Sequence, residues 1–336
     1  MNFAGFKILI TGGAGFIGSE IVSQLIKKKV EVTVLDNFSS GKKEYLPKNK
    51  KLKIVKGSIL NEKTVRRALK DQECVINLAA LPFIPDSYYY PADFFQTNTI
   101  GTVNMLWNAI KSRTVEIFVQ ISTSEVYGSA QFVPMDENHP TVPHSTYAVS
   151  KLAGDRATFT LHKENGFPVV VVRPFNSYGP RYTEPYIIPE IMNQILEGRN
   201  NITLGKTDSS RDFTFVSDTA DAIIRCSMEK RAVGEIINVG SGTEISIHDL
   251  AFKIAKTAKS KIKIKYDESR ERPYDVNRLV CNNKKAKQIL NWKPKIDMKK
   301  GLEITFRWAK SHKVTFSAPF KRWYYKNEFT QKKTTD

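Results

Sequence analysis

The 336-residue sequence predicts an α/β protein: a doubly wound parallel sheet with a smaller C-terminal lobe interleaved with it. Three observations carry this expectation. Short β-branched runs alternate with helix-length periods through the first half of the chain. Continuous apolar runs such as Val169–Val172 fit strands buried on both faces. A glycine-rich turn, Gly12 to Gly18, follows the first such run and opens the first helical stretch.

Taken in order, strands are predicted at Lys7–Thr11, Glu31–Leu35, Lys53–Val55, Cys74–Asn77, Glu116–Ile121 and Val169–Arg173. Helices are expected between them near Ile17–Lys28, Glu62–Lys70, Phe94–Lys111 and Thr146–Glu164. After Arg173 the pattern loosens, with Pro174, Pro180, Pro185 and Pro189 punctuating a loop-rich region. Further helices are predicted at Ile188–Leu196, Thr219–Glu229, Ile247–Ala258 and Lys299–His312. The expected organisation is a dinucleotide-binding domain over 1–173, a substrate lobe over 174–312, and a basic, aromatic tail over 313–336.

Composition narrows the function classes. A hydrophobic content of 41% is ordinary for a folded protein, and no apolar run reaches the roughly 18 residues that span a bilayer. The N-terminus shows no basic leader followed by an apolar stretch, so the expected compartment is the cytoplasm. Cys74, Cys226 and Cys281 are scattered, and the five histidines show no metal-ligand spacing, so neither disulfides nor a metal are expected. The formal charge of +18 comes from dispersed lysines such as Lys27–Lys29 and Lys48–Lys53. It forms no single arginine-rich stripe and reads as a solvated surface, not a nucleic-acid footprint. The tail segment FKRWYYKNEF alternates aromatic with basic residues, which an interfacial membrane anchor would do; packing on protein is the favoured reading.

Lys7 to Gly18 reads KILITGGAGFIG, a buried strand, a turn and a helix start. Gly12 permits the tight turn, Gly15 lets backbone approach a pyrophosphate, and Gly18 lets helix pack on strand. The helix N-terminus then offers unpaired N–H groups to the phosphates. Asp36 closes the second strand, where a carboxylate binds both adenosine ribose hydroxyls and repels a 2′-phosphate. The reading is a Rossmann-type domain that binds NAD in preference to NADP.

Tyr147 and Lys151 lie four apart on a predicted helix and so project from one face. A tyrosine with a pKa of about 10 is a poor base, and nearby positive charge stabilises its phenolate. Upstream, the fifth strand runs into Ser122-Thr123-Ser124-Glu125-Val126-Tyr127-Gly128. Ligands of doubly wound sheets bind outside the carboxyl ends of the strands, so these side chains belong to the same crevice.

Together, TGGAGFIG, Asp36, NLAA at 77–80, STSEVYG and YAVSK resemble the extended short-chain dehydrogenase/reductase family, over about Lys7 to Arg307. The resemblance implies a soluble NAD enzyme acting on nucleotide sugars, commonly a homodimer through helices near 94–111 and 146–164. It implies that Thr123 hydrogen-bonds the reacting hydroxyl, Tyr147 is the base and Lys151 binds the nicotinamide ribose. Cofactor contact then extends to Gly12, Gly15, Phe16, Ile17, Gly18, Asp36, Asn37, Ser58, Ile59, Leu78, Ala79, Ala80 and Asn98, the last in a structural role. Ser58 stands where the family often has the aspartate that holds the adenine amino group, which weakens that contact. Substrate contact is implied at Pro82, Ser87 and Asn176, and at Arg211 and Arg272, whose forked donors suit phosphate oxygens.

Family members that retain their cofactor begin by oxidising the sugar at C4. A carboxylate in the crevice could then remove the acidified C5 proton, and Glu125, with Ser124 beside it, is the candidate. The Thr-Ser-Glu triplet resembles that of GDP-mannose 4,6-dehydratases and of UDP-glucuronate decarboxylases alike; the later segments most resemble nucleotide-sugar 4,6-dehydratases, with GDP- or UDP-N-acetylglucosamine or GDP-mannose as substrate. A 4-epimerase and a UDP-glucuronate decarboxylase are the alternatives within the family. An NAD-binding sensor or interaction protein is the alternative outside enzymology, and the intact Thr123, Tyr147 and Lys151 weigh against it.

Overall fold

Seven parallel strands form the central sheet of the computed structural model, which describes residues 6–272 and 274–312. They are β1 (Lys7–Thr11), β2 (Glu31–Asp36), β3 (Leu52–Lys56), β4 (Cys74–Asn77), β5 (Ile117–Ile121), β6 (Val169–Pro174) and a strand from later in the chain, Ile236–Val239. Between β6 and that strand come β7 (Asn176–Tyr178), β8 (Asn201–Leu204) and β9 (Ser210–Phe215), so the seventh sheet strand is β10. The order is β10-β6-β5-β4-β1-β2-β3, which reverses direction between β1 and β4. Crevices at such a reversal, at the carboxyl ends of the strands, are where doubly wound sheets bind ligands.

A polar chain fixes those ends. Thr11 donates to the Asn77 carboxamide oxygen at 2.6 Å, and Asn77 donates to Gln120 at 2.8 Å, so β1, β4 and β5 are tied side chain to side chain. The Ala79 N–H donates back to the Thr11 hydroxyl at 3.1 Å. All three polar residues are buried, and their mutual satisfaction is what makes that burial tolerable.

Helices cover both faces. α1 (Phe16–Lys27) packs on one side, and α2 (Glu62–Leu69) on the other. Two short helices, α3 (Ile84–Tyr89) and α4 (Pro91–Phe94), lead through a π-helical turn at Phe95–Ile100 into α5 (Gly101–Ser112). The single helix expected over Phe94–Lys111 is therefore interrupted where Asn98 sits, a bulge of the kind that re-aims one side chain. α6 (Thr146–Asn165) starts at an N-cap, Ser145, whose hydroxyl accepts from the Ala148 N–H. It ends at Gly166 in the left-handed region.

The second lobe is built from α7 (Ile187–Leu196), β8, β9, β11 (Glu244–Ser246), α9 (Ile247–Ala258), β12 (Lys263–Tyr266), β13 (Arg278–Leu279) and α11 (Met298–Ser311). Its core is separate, formed by Ile188, Ile191, Leu250, Ile254 and neighbours. Between its parts the chain returns to the first lobe. α8 (Val216–Cys226) packs on α1, β10 extends the large sheet, and α10 (Lys284–Leu290) places Ala286 and Leu290 in the same core. No strand is expected from the sequence after Val169–Arg173, so β7 to β13 are findings of the structure. Of the described residues, no helix is long and apolar enough to cross a membrane. The basic aromatic tail, 313–336, lies outside the described residues.

One buried ion pair joins α6 to the sheet. Arg173 on β6 donates from Nε to Asp155 of α6 at 2.8 Å, with both side chains almost wholly inaccessible. The Arg173 guanidinium also lies over the Tyr127 ring at 4.9 Å. Removing one partner of such a pair leaves a buried charge. Asp155→Leu or Arg173→Met alone is expected to cost roughly 3–5 kcal/mol in a urea titration. The double replacement Asp155→Leu with Arg173→Met should recover most of that loss; simple additivity would mean that the pair is not what joins helix to strand.

Candidate active site

A cavity of about 510 Å³ runs from the carboxyl ends of β1 and β2, past the end of β5, into the second lobe. At its first end the backbone is shaped by glycine. Gly12 has φ +66°, and a Cβ there would stand 2.9 Å from the Ala79 amide nitrogen; a Cβ on Gly18 would meet the Gly12 carbonyl at 2.2 Å. A side chain at Gly12 would force the turn off the Leu78–Ala79 backbone, and one at Gly18 would push α1 off the turn; either change distorts the place where a pyrophosphate meets the helix N-terminus.

Asp36 sits at the end of β2, buried, accepting from the Ala14 N–H at 2.9 Å and the Phe38 N–H at 2.8 Å. Burial raises its pKa, and these two backbone bonds oppose the rise. Each oxygen keeps a lone pair for a ribose hydroxyl. Gly15, Phe16, Ile17, Asn37, Ser58, Ile59, Leu78, Ala79 and Ala80 also line this end. The Ser58 hydroxyl accepts from the Leu60 N–H at 3.1 Å and so is partly committed to its own turn. The glycine turn, the acceptor at Asp36 and the apolar flanks fit NAD.

Asn98 does not line the cavity. It is fully buried, bonds the Leu81 N–H and carbonyl, and donates to the Ser150 hydroxyl at 3.0 Å, so it pins the 78–82 segment to α6. Ser87 is also displaced from its expected place. It is buried in α3, where its hydroxyl is used by the Ile84 carbonyl at 2.7 Å, and it takes no part in the lining. Helical serines commonly turn back on their own helix in this way. Pro82, by contrast, lines the cavity.

At the middle of the cavity α6 and the end of β5 bring together Thr123, Ser124, Glu125, Tyr147 and Lys151. The Thr123 hydroxyl accepts from the Glu125 N–H at 3.2 Å, which leaves its own proton for Tyr147. Lys151 is buried and donates to the Ile121 carbonyl at 2.6 Å. Burial lowers its pKa to about 8, against the pull of Asp155 one turn along. Burial pushes Tyr147 well above the ordinary tyrosine value, with the Thr123 hydrogen bond opposing it. In the protein alone desolvation dominates, so the tyrosine pKa stands above its ordinary value although the spacing implied a lowering; both groups are desolvated and each holds its neutral form more readily. The Ser122 hydroxyl, also in this wall, finds no hydrogen-bond partner among the described residues.

Glu125 is buried, which raises its pKa; Arg211 and Arg272 oppose the rise. These two arginines line the far side and converge on Asp275, Arg211 at 3.3 Å and Arg272 at 3.2 Å. Burial would raise Asp275, but Arg272 and Arg211 outweigh it and hold its pKa below the usual value. Asn176 lines the cavity near them, and its buried carboxamide oxygen lacks a partner among the described residues. The cavity wall also includes Tyr186, Glu190, Arg270 and Asp275, none singled out from sequence. Glu190 and Arg270 form an ion pair at 2.9 Å, 80 positions apart, for which no local pattern exists.

Comparison with known proteins agrees with this geometry. Residues 9–305 match the model of the GDP-mannose 4,6 dehydratase family. The chain belongs to that family, within the extended short-chain dehydrogenases/reductases. It is 34% identical to a putative UDP-glucose 4-epimerase of Methanocaldococcus jannaschii, over 92% of this chain and 100% of that one. It is 32% identical to the UDP-N-acetyl-α-D-glucosaminuronate decarboxylase of Bacillus cytotoxicus, over 90% of this chain and 97% of that one. The dTDP-glucose 4,6-dehydratase DesIV of Streptomyces venezuelae, solved with NAD bound, superposes with a TM-score of 0.85 at 28% identity, covering 92% of this chain and 98% of that one. The cofactor of this extended dehydrogenase/reductase is NAD.

Two outcomes test the site. Gly12→Ala should abolish NAD binding in a fluorescence titration. For Lys151 the sign comes from its depressed pKa. Below about 8 its buried ammonium is charged in the folded and unfolded states, and desolvation destabilises the fold. Between about 8 and 10 the folded protein has shed a proton that the unfolded chain still holds, so stability rises with pH. Lys151→Met should therefore raise the melting temperature at pH 7, and the gain should shrink steadily by pH 9.5. A gain that does not vary with pH would show that Lys151 is not the shifted group.

Proposed function

We propose that the protein is a nucleotide-sugar 4,6-dehydratase, acting as a cytoplasmic homodimer. The observation that carries this reading is Glu125, a buried carboxyl of raised pKa in the same cavity wall as Thr123 and Tyr147. A 4-epimerase needs only a base at C4; a second acid–base group beside it is what elimination across C5 and C6 requires.

The residues divide the work. Asn176, Arg211, Arg272 and Pro82 hold the nucleotide sugar, the arginines on its diphosphate. NAD, when bound, would supply the hydride acceptor for C4 and the hydride donor for C6, with no net consumption of cofactor. Thr123 orients the C4 hydroxyl, and Tyr147 takes its proton, aided by positive charge at Lys151. Once C4 is a ketone, Glu125 removes the C5 proton. A carboxyl of raised pKa holds that proton and can pass it to the departing C6 hydroxyl, which Ser124 positions, so that water leaves; as the hydride returns to C6, a proton equivalent to the one Tyr147 took from C4 is delivered to C5 through Glu125. The product is a 4-keto-6-deoxy nucleotide sugar, from GDP- or UDP-N-acetylglucosamine or GDP-mannose.

A second reading is 4-epimerisation, supported by the 34% identity to the Methanocaldococcus jannaschii protein of that putative name. Mass spectrometry after incubation with a panel of nucleotide sugars separates the two. Loss of water is expected; an isomer of unchanged mass would replace the first reading by the second, and loss of carbon dioxide would indicate decarboxylation. Glu125→Gln should reduce dehydration by roughly 100-fold or more while leaving C4 oxidation, read as NADH absorbance, in place. Full dehydration by that variant would remove Glu125 as the C5 base. A non-catalytic NAD-binding protein would yield no product with any sugar.

The homodimer rests on Phe95, Ile100 and Trp107 in the π-helical turn and α5, with Val149 on α6, each an apolar side chain 38–52% exposed. Scattered exposed apolar residues are ordinary, but four on two adjacent helices favour burial against a second copy. Trp107→Glu is expected to yield a monomer in sedimentation equilibrium, where the unaltered protein is a dimer.

A further inference from the structure

Arg270, Arg272 and Asp275 all stand on the segment between β12 and β13, which contributes only a short 3₁₀ turn of regular structure. Something must set where this segment lies relative to Tyr147. Arg270 is tied to Glu190, Asp275 to Arg211 and the Asn277 N–H to the Ser129 hydroxyl; toward the start of α6 the contact is a ring stack. The imidazole of His144 and the ring of Tyr274 lie 3.8 Å apart at 15°. The same imidazole meets the Asp275 carbonyl through Nδ1 at 3.3 Å.

The positions of the two rings in the chain give the stack its meaning. His144 directly precedes the N-cap Ser145 of α6 and stands three residues before Tyr147. Tyr274 lies between Arg272 and Asp275, the residues that face the diphosphate end of the cavity. The space for the imidazole is made by Gly128, at the close of the STSEVYG turn. That residue has φ +67°, and a Cβ there would meet the His144 ring at 2.9 Å and the Val142 carbonyl at 1.9 Å. Three segments that carry the chemistry therefore meet at one imidazole. Neither ring lines the cavity, so neither touches substrate.

We propose that His144 and Tyr274 are a positioning pair that fixes the span between the phosphate-binding arginines and the proton-transfer residue Tyr147. A nucleotide sugar is gripped at one end by Arg211 and Arg272 and reacts at the other. A change in that span misplaces C4 without loosening the nucleotide. The inference rests on the reading of the cavity as a nucleotide-sugar site, but only on C4 oxidation and not on any later step. Displacement by about 1 Å at a reacting centre can cost roughly 100-fold in rate.

The experiment measures three quantities on the full chain. They are GDP and UDP affinity by calorimetry, melting temperature, and NADH formed on the protein in single turnover with the nucleotide-sugar panel. His144→Ala and Tyr274→Ala are expected to lower the rate of NADH formation by roughly 10- to 100-fold. Nucleoside diphosphate affinity should stay within about twofold and melting temperature should change little, Tyr274 being 57% exposed. His144→Phe, which keeps the stack, should restore most of the rate, and the double alanine variant should be no slower than the worse single one. Unchanged NADH formation in both alanine variants overturns the proposal. So does a loss of rate that tracks lost stability or lost nucleotide affinity and is not rescued by phenylalanine. If the unaltered protein itself forms no NADH with any sugar, the nucleotide-sugar reading is what has failed.

Discussion

The fold's chemistry hangs on how α6 is held against the sheet. Two residues one helical turn apart do this from the same face. Lys151 reaches the Ile121 carbonyl at the end of β5, and Asp155 takes the Arg173 guanidinium from β6. A helix resting on apolar contacts alone could slide or rotate by fractions of an ångström at little cost. Two directional bonds inside a desolvated layer cannot be shifted without stranding a charge. Tyr147, one turn before Lys151, is thereby placed beside Thr123 at the end of β5.

The same layer also sets the proton affinities. Desolvation dominates at Tyr147, Lys151 and Glu125, and in each it favours the neutral form. Such a set disfavours the phenolate of Tyr147, while Lys151, with a pKa lowered only to about 8, still carries its charge near neutral pH. The arginines are arranged differently: Arg211 and Arg272 share Asp275, so their charges are partly neutralised where they stand. The cavity thus grades from desolvated groups around Tyr147 to ion-paired cations at Arg211 and Arg272.

Much of this was legible in the chain. The turn at Gly12 to Gly18 and the alternation of strand and helix named the fold, because close backbone approach and double-sided burial each leave a local mark on residue choice. The Thr123, Tyr147 and Lys151 set was legible for the same reason, each lying in a short contiguous motif. Elsewhere local pattern misled. Ser87 was implied as a substrate contact and instead bonds its own helix, and β10 was missed because its run stands apart from the alternation of strand and helix that marks the first half of the chain.

What the sequence determined by itself is the fold, the cofactor and the grouping of Thr123 with Tyr147 and Lys151, since these depend on residues placed by one turn or one helix. The tertiary structure decided the rest. It paired Glu190 with Arg270, gathered Arg211 and Arg272 on Asp275, and stacked His144 on Tyr274. Those contacts join residues up to 130 positions apart, and only the packing of one lobe on the other fixes their distances. It decided as well the direction of each pKa shift, because desolvation depends on every neighbour that excludes water and no motif encodes that sum.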